Sequence, residues 1–207
     1  PVVADFSPDN NAECARWARQ HPDRLVNVAD VALHQANADE DIARAREVYE
    51  AVAVSYYPSG GDISWMLDPE REPVWEALKT FDLLCNLHVT PPNYSTLLEL
   101  ARRHTDLRFV CNHLALPGRH FEPSDATYGG LINARGLPNV YIKASAFYAA
   151  AANPWDLRCP RALGYFAALL RDLGSSRLLW GTDWPPTSRH LTYRQALEII
   201  RTGAELE

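Results

Sequence analysis

The chain has 207 residues, of which 47% are hydrophobic and 22% are charged, and its formal net charge is −6 at pH 7. This composition is typical of a globular protein and excludes disordered, collagen-like and coiled-coil chains. The excess of acidic residues, without any block of like charges, also disfavours a surface that binds nucleic-acid phosphates.

Cysteine use and the chain ends predict a cellular location. The four cysteines are far apart and form no CxxC pair, so we predict reduced thiols in a cytoplasmic protein. The N-terminal segment lacks the regions of a signal peptide, and no apolar run reaches the roughly 18 residues of a membrane span. The chain starts in an apolar run and stops within a helical pattern, so we expect missing segments at both ends.

Seven short apolar runs predict strands, and their nearly continuous apolarity is typical of strands that are buried on both faces of a parallel sheet. The runs are Val2–Phe6, Leu25–Leu33, Ala51–Tyr57, Leu83–Val89, Arg108–Leu116, Val140–Ala146 and Leu178–Thr182. Amphipathic stretches between them predict helices. These stretches are Asn11–Gln20, Asp39–Glu50, Pro73–Thr80, Ser95–His104, Pro160–Leu173 and Thr192–Arg201.

Alternating strands and helices predict an α/β fold, either an open doubly wound sheet or a (β/α)8 TIM barrel. The phosphate-binding patterns GxGxxG and GxxxxGK[ST], which would favour the open sheet, are absent. Seven predicted strands are one fewer than in a barrel, and the chain is shorter than the ~250 residues typical of that fold. We therefore predict one domain over residues 1–207, a TIM barrel that lacks strand one and the C-terminal segment.

Three titratable residues follow predicted strands: His88, His113 and Asp183. In a barrel, the carboxyl ends of the strands carry the active site. Nitrogen and oxygen ligands from separate strands are typical of a catalytic zinc site, in which one position stays open for water. Each residue alone also fits a structural role, as a core histidine or a turn-capping aspartate. Their equivalent positions favour a shared site.

Two segments resemble a known family. Asn112–Pro117 and Leu179–Pro185 resemble the DHxGxP-like and GTDWP-like segments of the amidohydrolase-related, metal-dependent hydrolases of TIM-barrel fold. His21–Arg24 and Asn139–Ser145 extend the resemblance, which is closest to the branch of sugar lactonases and 2-pyrone-4,6-dicarboxylate lactonase.

The resemblance implies roles for the three candidate residues. Asp183 matches a metal ligand that also serves as the base for the hydrolytic water, and His88 matches a metal ligand. His113 matches a histidine that contacts the metal or polarises the scissile carbonyl. The implied cofactor is a divalent metal, zinc or alternatively manganese, with a metal-independent lactonase as a further option. The family's strand-one His-x-His is absent, and Asn112 replaces the usual aspartate.

Four further residues are predicted to contact the substrate. Arg119 and Arg189 follow the sixth and eighth strands of the expected barrel, where an arginine suits a carboxylate. Tyr148 and Trp184 are expected to line the pocket. Lys143 lies on the seventh strand rather than the fourth, so we do not predict that it binds a metal.

The expected activity is hydrolysis of a lactone or a related carboxylate-bearing cyclic ester. The alternatives are a non-oxidative decarboxylase, or a non-catalytic fragment or pseudoenzyme that lacks the strand-one ligand pair. The expected partner is a small-molecule lactone or carboxylate, with neither nucleic acid nor membrane. A barrel without one strand exposes two sheet edges, so we also expect homo-oligomers.

Overall fold

A computed structural model of the chain describes residues 8–58, 61–118, 130–153 and 155–203. The strands are β1 (Val28–Asp30), β2 (Ala53–Tyr56), β3 (Leu84–Leu87), β4 (Phe109–Cys111), β5 (Val140–Ala144) and β6 (Leu178–Trp180). The α-helices are α1 (Pro8–Gln20), α2 (Ala38–Glu47), α3 (Glu72–Thr80), α4 (Tyr94–Arg103), α5 (Pro160–Leu173) and α6 (Tyr193–Gly203).

The six strands form one parallel sheet in which the spatial order is the chain order. Every connection therefore advances the sheet in the same direction, whereas the strand order of a doubly wound sheet reverses at a switch point. The topology excludes the open alternative and agrees with the winding of a barrel. Among the described strands, β1 and β6 each have one neighbour.

The two faces of the sheet differ in chemistry because successive side chains of a strand point to opposite sides. The face under the helices is apolar, and its central side chains are fully buried: Ala29, Val54, Cys85, Phe109 and Ile142. The opposite face encloses a cavity and is mostly polar. The residues that line this cavity include Asp30, Ser55, Asn86, Asn112 and Lys143.

Six of the seven predicted strands are confirmed, and the first, Val2–Phe6, lies outside the described residues. The largest difference concerns Arg108–Leu116, because the strand ends at Cys111. Residues 113–116 all have positive φ, between 50° and 59°. Left-handed backbone cannot continue a strand, so the chain turns there instead.

Further sequence predictions agree with the structure. All six predicted helices are present, with ends displaced by up to three residues. The four cysteines have free thiols. Within the described ranges, no helix has both the length and the apolar character needed to cross a membrane.

Candidate active site

The cavity on the inner face of the sheet has a volume of about 430 Å³. Residues in or next to all six strands line it, and His113 and Asp183 lie at the end where the strands terminate. In α/β barrels this is the end at which catalytic groups gather. The cavity is therefore the candidate active site.

Short turns after the strands place the candidate residues. His88 follows β3 directly, His113 is the second residue after β4, and Asp183 is the third residue after β6. His113 and Asp183 have φ values of 56° and 61°. Residues other than glycine seldom adopt such angles, and those that do are concentrated at functional sites.

Asp183 is the centre of a chain of polar contacts. The hydroxyl of Tyr148 donates a hydrogen bond of 2.5 Å to Asp183 Oδ2. Asp183 Oδ1 lies 3.6 Å from His113 Nε2, and both side chains are about nine-tenths buried. His113 Nδ1 lies 3.0 Å from the hydroxyl of Ser145. Because 3.6 Å is too long for a hydrogen bond, Asp183 and His113 face each other without direct bonding.

Burial changes the protonation of these groups. It lowers the pKa of His113 to about 4, and the nearby Lys143 ammonium contributes to the shift. Burial raises the pKa of the Asp183 carboxyl, while the hydrogen bond from Tyr148 opposes this rise. His113 is therefore a neutral imidazole at neutral pH, so its contact with Asp183 is not an ion pair there.

His88 packs beside this chain of contacts. Its ring centroid lies 4.6 Å from that of Tyr57 and 5.5 Å from that of His113. Burial lowers the pKa of His88 to about 4, with a further contribution from His113. In the described part of the chain, its Nδ1 is buried and has no hydrogen-bond partner.

The described residues do not complete a metal site. Among them, no three His, Cys, Asp or Glu side chains come together closely enough to hold one ion. A catalytic zinc ion has three protein ligands as a rule. His88 and Asp183 therefore remain predicted metal ligands. The described residues do not provide a third ligand beside them.

Of the four residues predicted to contact the substrate, Tyr148 reaches the site through its hydrogen bond to Asp183, and its ring stacks on His190 at 4.5 Å. Trp184 and Arg189 are exposed and line a separate, shallow depression beside the main cavity. Arg119 lies outside the described residues.

The sequence analysis missed several polar residues of the cavity. Asp30, Ser55 and Asn86 occupy matching positions in the register of β1, β2 and β3. Lys143 occupies an inner position of β5 and Ser145 follows that strand. A signal was present, since a polar residue at every second position of an apolar run predicts one polar face.

A parallel sheet wound in chain order, with a polar cavity at the carboxyl ends of its strands, defines the class of TIM-barrel proteins. A family model described as amidohydrolase matches residues 2–206. The chain belongs to the amidohydrolase family, which confirms the resemblance seen in the sequence.

Three relatives illustrate the relationship. L-Fucono-1,5-lactonase from Burkholderia ambifaria is 36% identical over 124 residues, which are 60% of this chain and 42% of that protein. The match thus spans less than half the length of this curated relative.

The other two relatives are solved structures. A probable 2-pyrone-4,6-dicarboxylic acid hydrolase from Acinetobacter baumannii, solved with citric acid, superposes with a TM-score of 0.78 at 21% identity, over 93% of this chain and 70% of that one. A Burkholderia multivorans amidohydrolase with bound zinc gives 0.78 at 20% identity, over 94% and 71%. Both likenesses concern the fold.

Proposed function

We propose that the chain is a hydrolase that opens a lactone or a related carboxylate-bearing cyclic ester. The observation that carries this proposal is the pair of Asp183 and His113, which face each other at 3.6 Å between the orienting hydroxyls of Tyr148 and Ser145. Ester hydrolysis requires a base for water and a donor for the carbonyl oxygen, and this pair provides both. The similarity to a lactonase supports the same reaction.

Asp183 acts as the general base. Its carboxylate accepts a proton from a water molecule as that water attacks the carbonyl carbon of the ring ester. The hydrogen bond from Tyr148 holds the carboxylate in place and stabilises its charged form. Burial has the opposite effect and makes this carboxylate a stronger base than an exposed one.

His113 polarises the carbonyl group. We assign the Ser145 hydroxyl as the donor to Nδ1 of the neutral ring, 3.0 Å away, so that the ring carries its proton on Nε2, the nitrogen that faces Asp183. This N–H donates to the oxygen on which negative charge develops as the water adds. The assignment predicts that His113 works in its neutral form.

The reaction is completed by cleavage of the ring C–O bond. The tetrahedral intermediate collapses, and the departing alkoxide takes the proton that Asp183 accepted from water. The product is one hydroxy acid, which ionises to a carboxylate and releases one proton at neutral pH. No step is assigned to a metal ion, because the described residues do not complete a ligand set.

The substitution Asp183→Asn tests the base. Asparagine tolerates positive φ, so the variant removes the charge and leaves the turn in place. We expect a roughly 10²–10⁴-fold loss of kcat, the usual contribution of a general base. The assay follows proton release from L-fucono-1,5-lactone, with Asp106→Asn, an exposed residue before β4, as the matched control.

Two results would contradict the proposal. A D183N variant with an undiminished rate would remove Asp183 from the mechanism. A wild-type protein that hydrolyses no lactone but releases carbon dioxide from an aromatic acid would replace the hydrolase with the decarboxylase.

A further inference from the structure

A lysine lies on the inner face of the sheet. Lys143 is the fourth residue of β5, between Ile142 and Ala144, which are fully buried on the helix side. Its own side chain is on the opposite side and lines the cavity. Burial lowers the pKa of the Lys143 ammonium, so the group is partly removed from water.

In the part of the chain that the structure describes, no carboxylate forms a direct ion pair with this ammonium. Within residues 8–58, 61–118, 130–153 and 155–203, the side chain of Lys143 makes no hydrogen bond and no ion pair, and the Asp183 carboxylate attracts it without direct contact. The chain has one other lysine, Lys79, which is bound on the surface by Glu76 at 2.7 Å and Asp106 at 3.7 Å. A half-buried charge without a hydrogen-bonded partner is unfavourable, and an anion that enters the cavity and binds the ammonium directly lowers this penalty.

Lys143 lines the same cavity as His113 and Asp183. Ser145, which contacts His113, is two residues further along the chain and lines the same cavity. The ammonium lowers the pKa of His113, and the Asp183 carboxylate opposes the lowering of the pKa of Lys143 itself. The side chain therefore reaches the space where a substrate of the pair would lie.

Lys143 is also the single lysine or arginine among the described residues that line the cavity. Of the two arginines predicted to bind an anion, Arg189 lines the outer depression, and Arg119 lies outside the described residues. Among the described residues, the cationic side chain that an anion in the main cavity can contact is therefore that of Lys143.

We propose that Lys143 binds the carboxylate that ring opening creates, together with the oxyanion that precedes it. This inference rests on the proposed lactone hydrolysis. A neutral lactone gives the ammonium no partner, but negative charge appears on the substrate as water adds and persists in the hydroxy acid. An interaction that strengthens during the reaction lowers the barrier, and it also makes the enzyme bind its product.

Calorimetric titration with L-fuconate, the ring-opened acid of the lactone used above, tests the proposal. We expect wild-type protein to bind L-fuconate and K143M to bind it roughly 10–100-fold more weakly, as for loss of a charged hydrogen bond. K143R keeps the charge and should recover part of the affinity. K79M is the matched control and should bind like wild type.

L-Fucitol, which keeps the secondary hydroxyls of L-fuconate and has a hydroxymethyl group in place of the carboxylate, serves as the uncharged probe. We expect wild type and K143M to bind L-fucitol equally, which also shows that the cavity of the variant is intact. Methionine has nearly the length of lysine, so K143M should keep the far-ultraviolet spectrum and the Tm of the wild type. If K143M binds L-fucitol more weakly than the wild type does, and its affinity for L-fuconate falls by the same factor, the proposal would be overturned.

The titration separates the two proposals. Equal affinity of wild type and K143M for L-fuconate, or no binding by either, would overturn the role of Lys143 even if the wild type hydrolyses the lactone. Binding that depends on Lys143, in a protein without lactonase activity, would support the anion site and contradict the proposed reaction.

Discussion

Two carboxyl groups of the cavity show how the partners of a residue determine its properties. Asp183 has a hydrogen-bond donor, Tyr148, which partly compensates for its burial. Asp30, at the end of β1, has no such partner: its Oδ2 is buried and unbonded in the described part of the chain. Burial alone raises the pKa of Asp30 to about 6. Asp183 is suited to act as a base, whereas Asp30 destabilises the fold when it is charged.

This difference predicts how stability depends on pH. Between the ordinary pKa of an aspartate and about 6, the folded protein holds a proton on Asp30 that the unfolded chain has lost. The contribution of Asp30 to the free energy of unfolding therefore falls as the pH rises through this range, and it stays low above pH 6. We expect Asp30→Asn to be more stable than wild type at pH 7, by about 1 kcal/mol after allowance for solvent screening.

Urea unfolding at intervals from pH 4 to pH 8 measures this effect. The advantage of D30N should shrink as the pH falls from 7 to 4, because Asp30 becomes protonated in the folded protein while the unfolded chain keeps its ordinary pKa of about 3.9. Asp23→Asn, at an exposed position, should follow the wild-type curve throughout. A D30N variant less stable than wild type at pH 7 and 8 would mean that the Asp30 carboxylate makes favourable contacts.

At the scale of elements, one buried amide joins the end of a helix to the sheet. The Nδ2 group of Asn139, just before β5, donates to the carbonyls of Ala101, His104 and Leu107, each at 3.0 Å. The last carbonyls of a helix have no partner within the helix and need an external donor. Asn139 supplies that donor to the end of α4. This structural role explains why an asparagine begins the segment that resembles the amidohydrolase family.

The substitution Asn139→Asp tests this connection. It keeps the shape of the side chain but replaces the amide donor with a carboxylate that faces three carbonyl oxygens. We expect a loss of about 2–3 kcal/mol in the free energy of unfolding at pH 7, typical of an unpaired buried polar group. Urea unfolding measures the loss, with Asn153→Asp, at an exposed position, as the control. An N139D variant as stable as the control would rule out the amide as the connection.

Elements could be predicted from the sequence where local pattern decides them. Apolar runs and amphipathic stretches indicated six strands and six helices, because each pattern reflects the face that its own element buries. The early end of β4 was missed, since nothing in His113–Leu116 marks a left-handed turn without glycine. The hydrogen bond from Tyr148 to Asp183 joins residues 35 positions apart, and such contacts depend on the tertiary fold.

For the whole molecule, the same distinction explains which part of the site could be predicted. The ends of parallel strands meet at one edge of the sheet, so His88, His113 and Asp183 could be expected to lie close together. The polar inner face, with Asp30 and Lys143, follows from strand periodicity only when the side that faces the cavity is known. That side depends on where the helices pack, which is a property of the entire fold.

The last prediction concerns the edges of the sheet. Among the described strands, β1 and β6 have one neighbour each, and apolar side chains are exposed along both edges. Leu179 and Trp180 of β6 are 42% and 41% exposed, and Val26, just before β1, is 59% exposed. Unpaired strand edges with apolar side chains favour association between chains. We therefore expect the 207-residue polypeptide to associate reversibly as its concentration rises.

Val26→Lys should weaken this association, because an inward-facing charge on an edge strand opposes pairing with another chain. Val26 also lines the main cavity, so the V26K variant is judged by its state of association and not by its activity. Sedimentation velocity over a hundredfold range of concentration should show the wild type shifting toward larger species, and V26K remaining smaller. The exposed apolar residue Val48, in the turn after α2, provides the control Val48→Lys, which should associate like wild type. A wild-type protein that stays monomeric throughout, or a V48K variant that dissociates as readily as V26K, would show that these strand edges do not drive association.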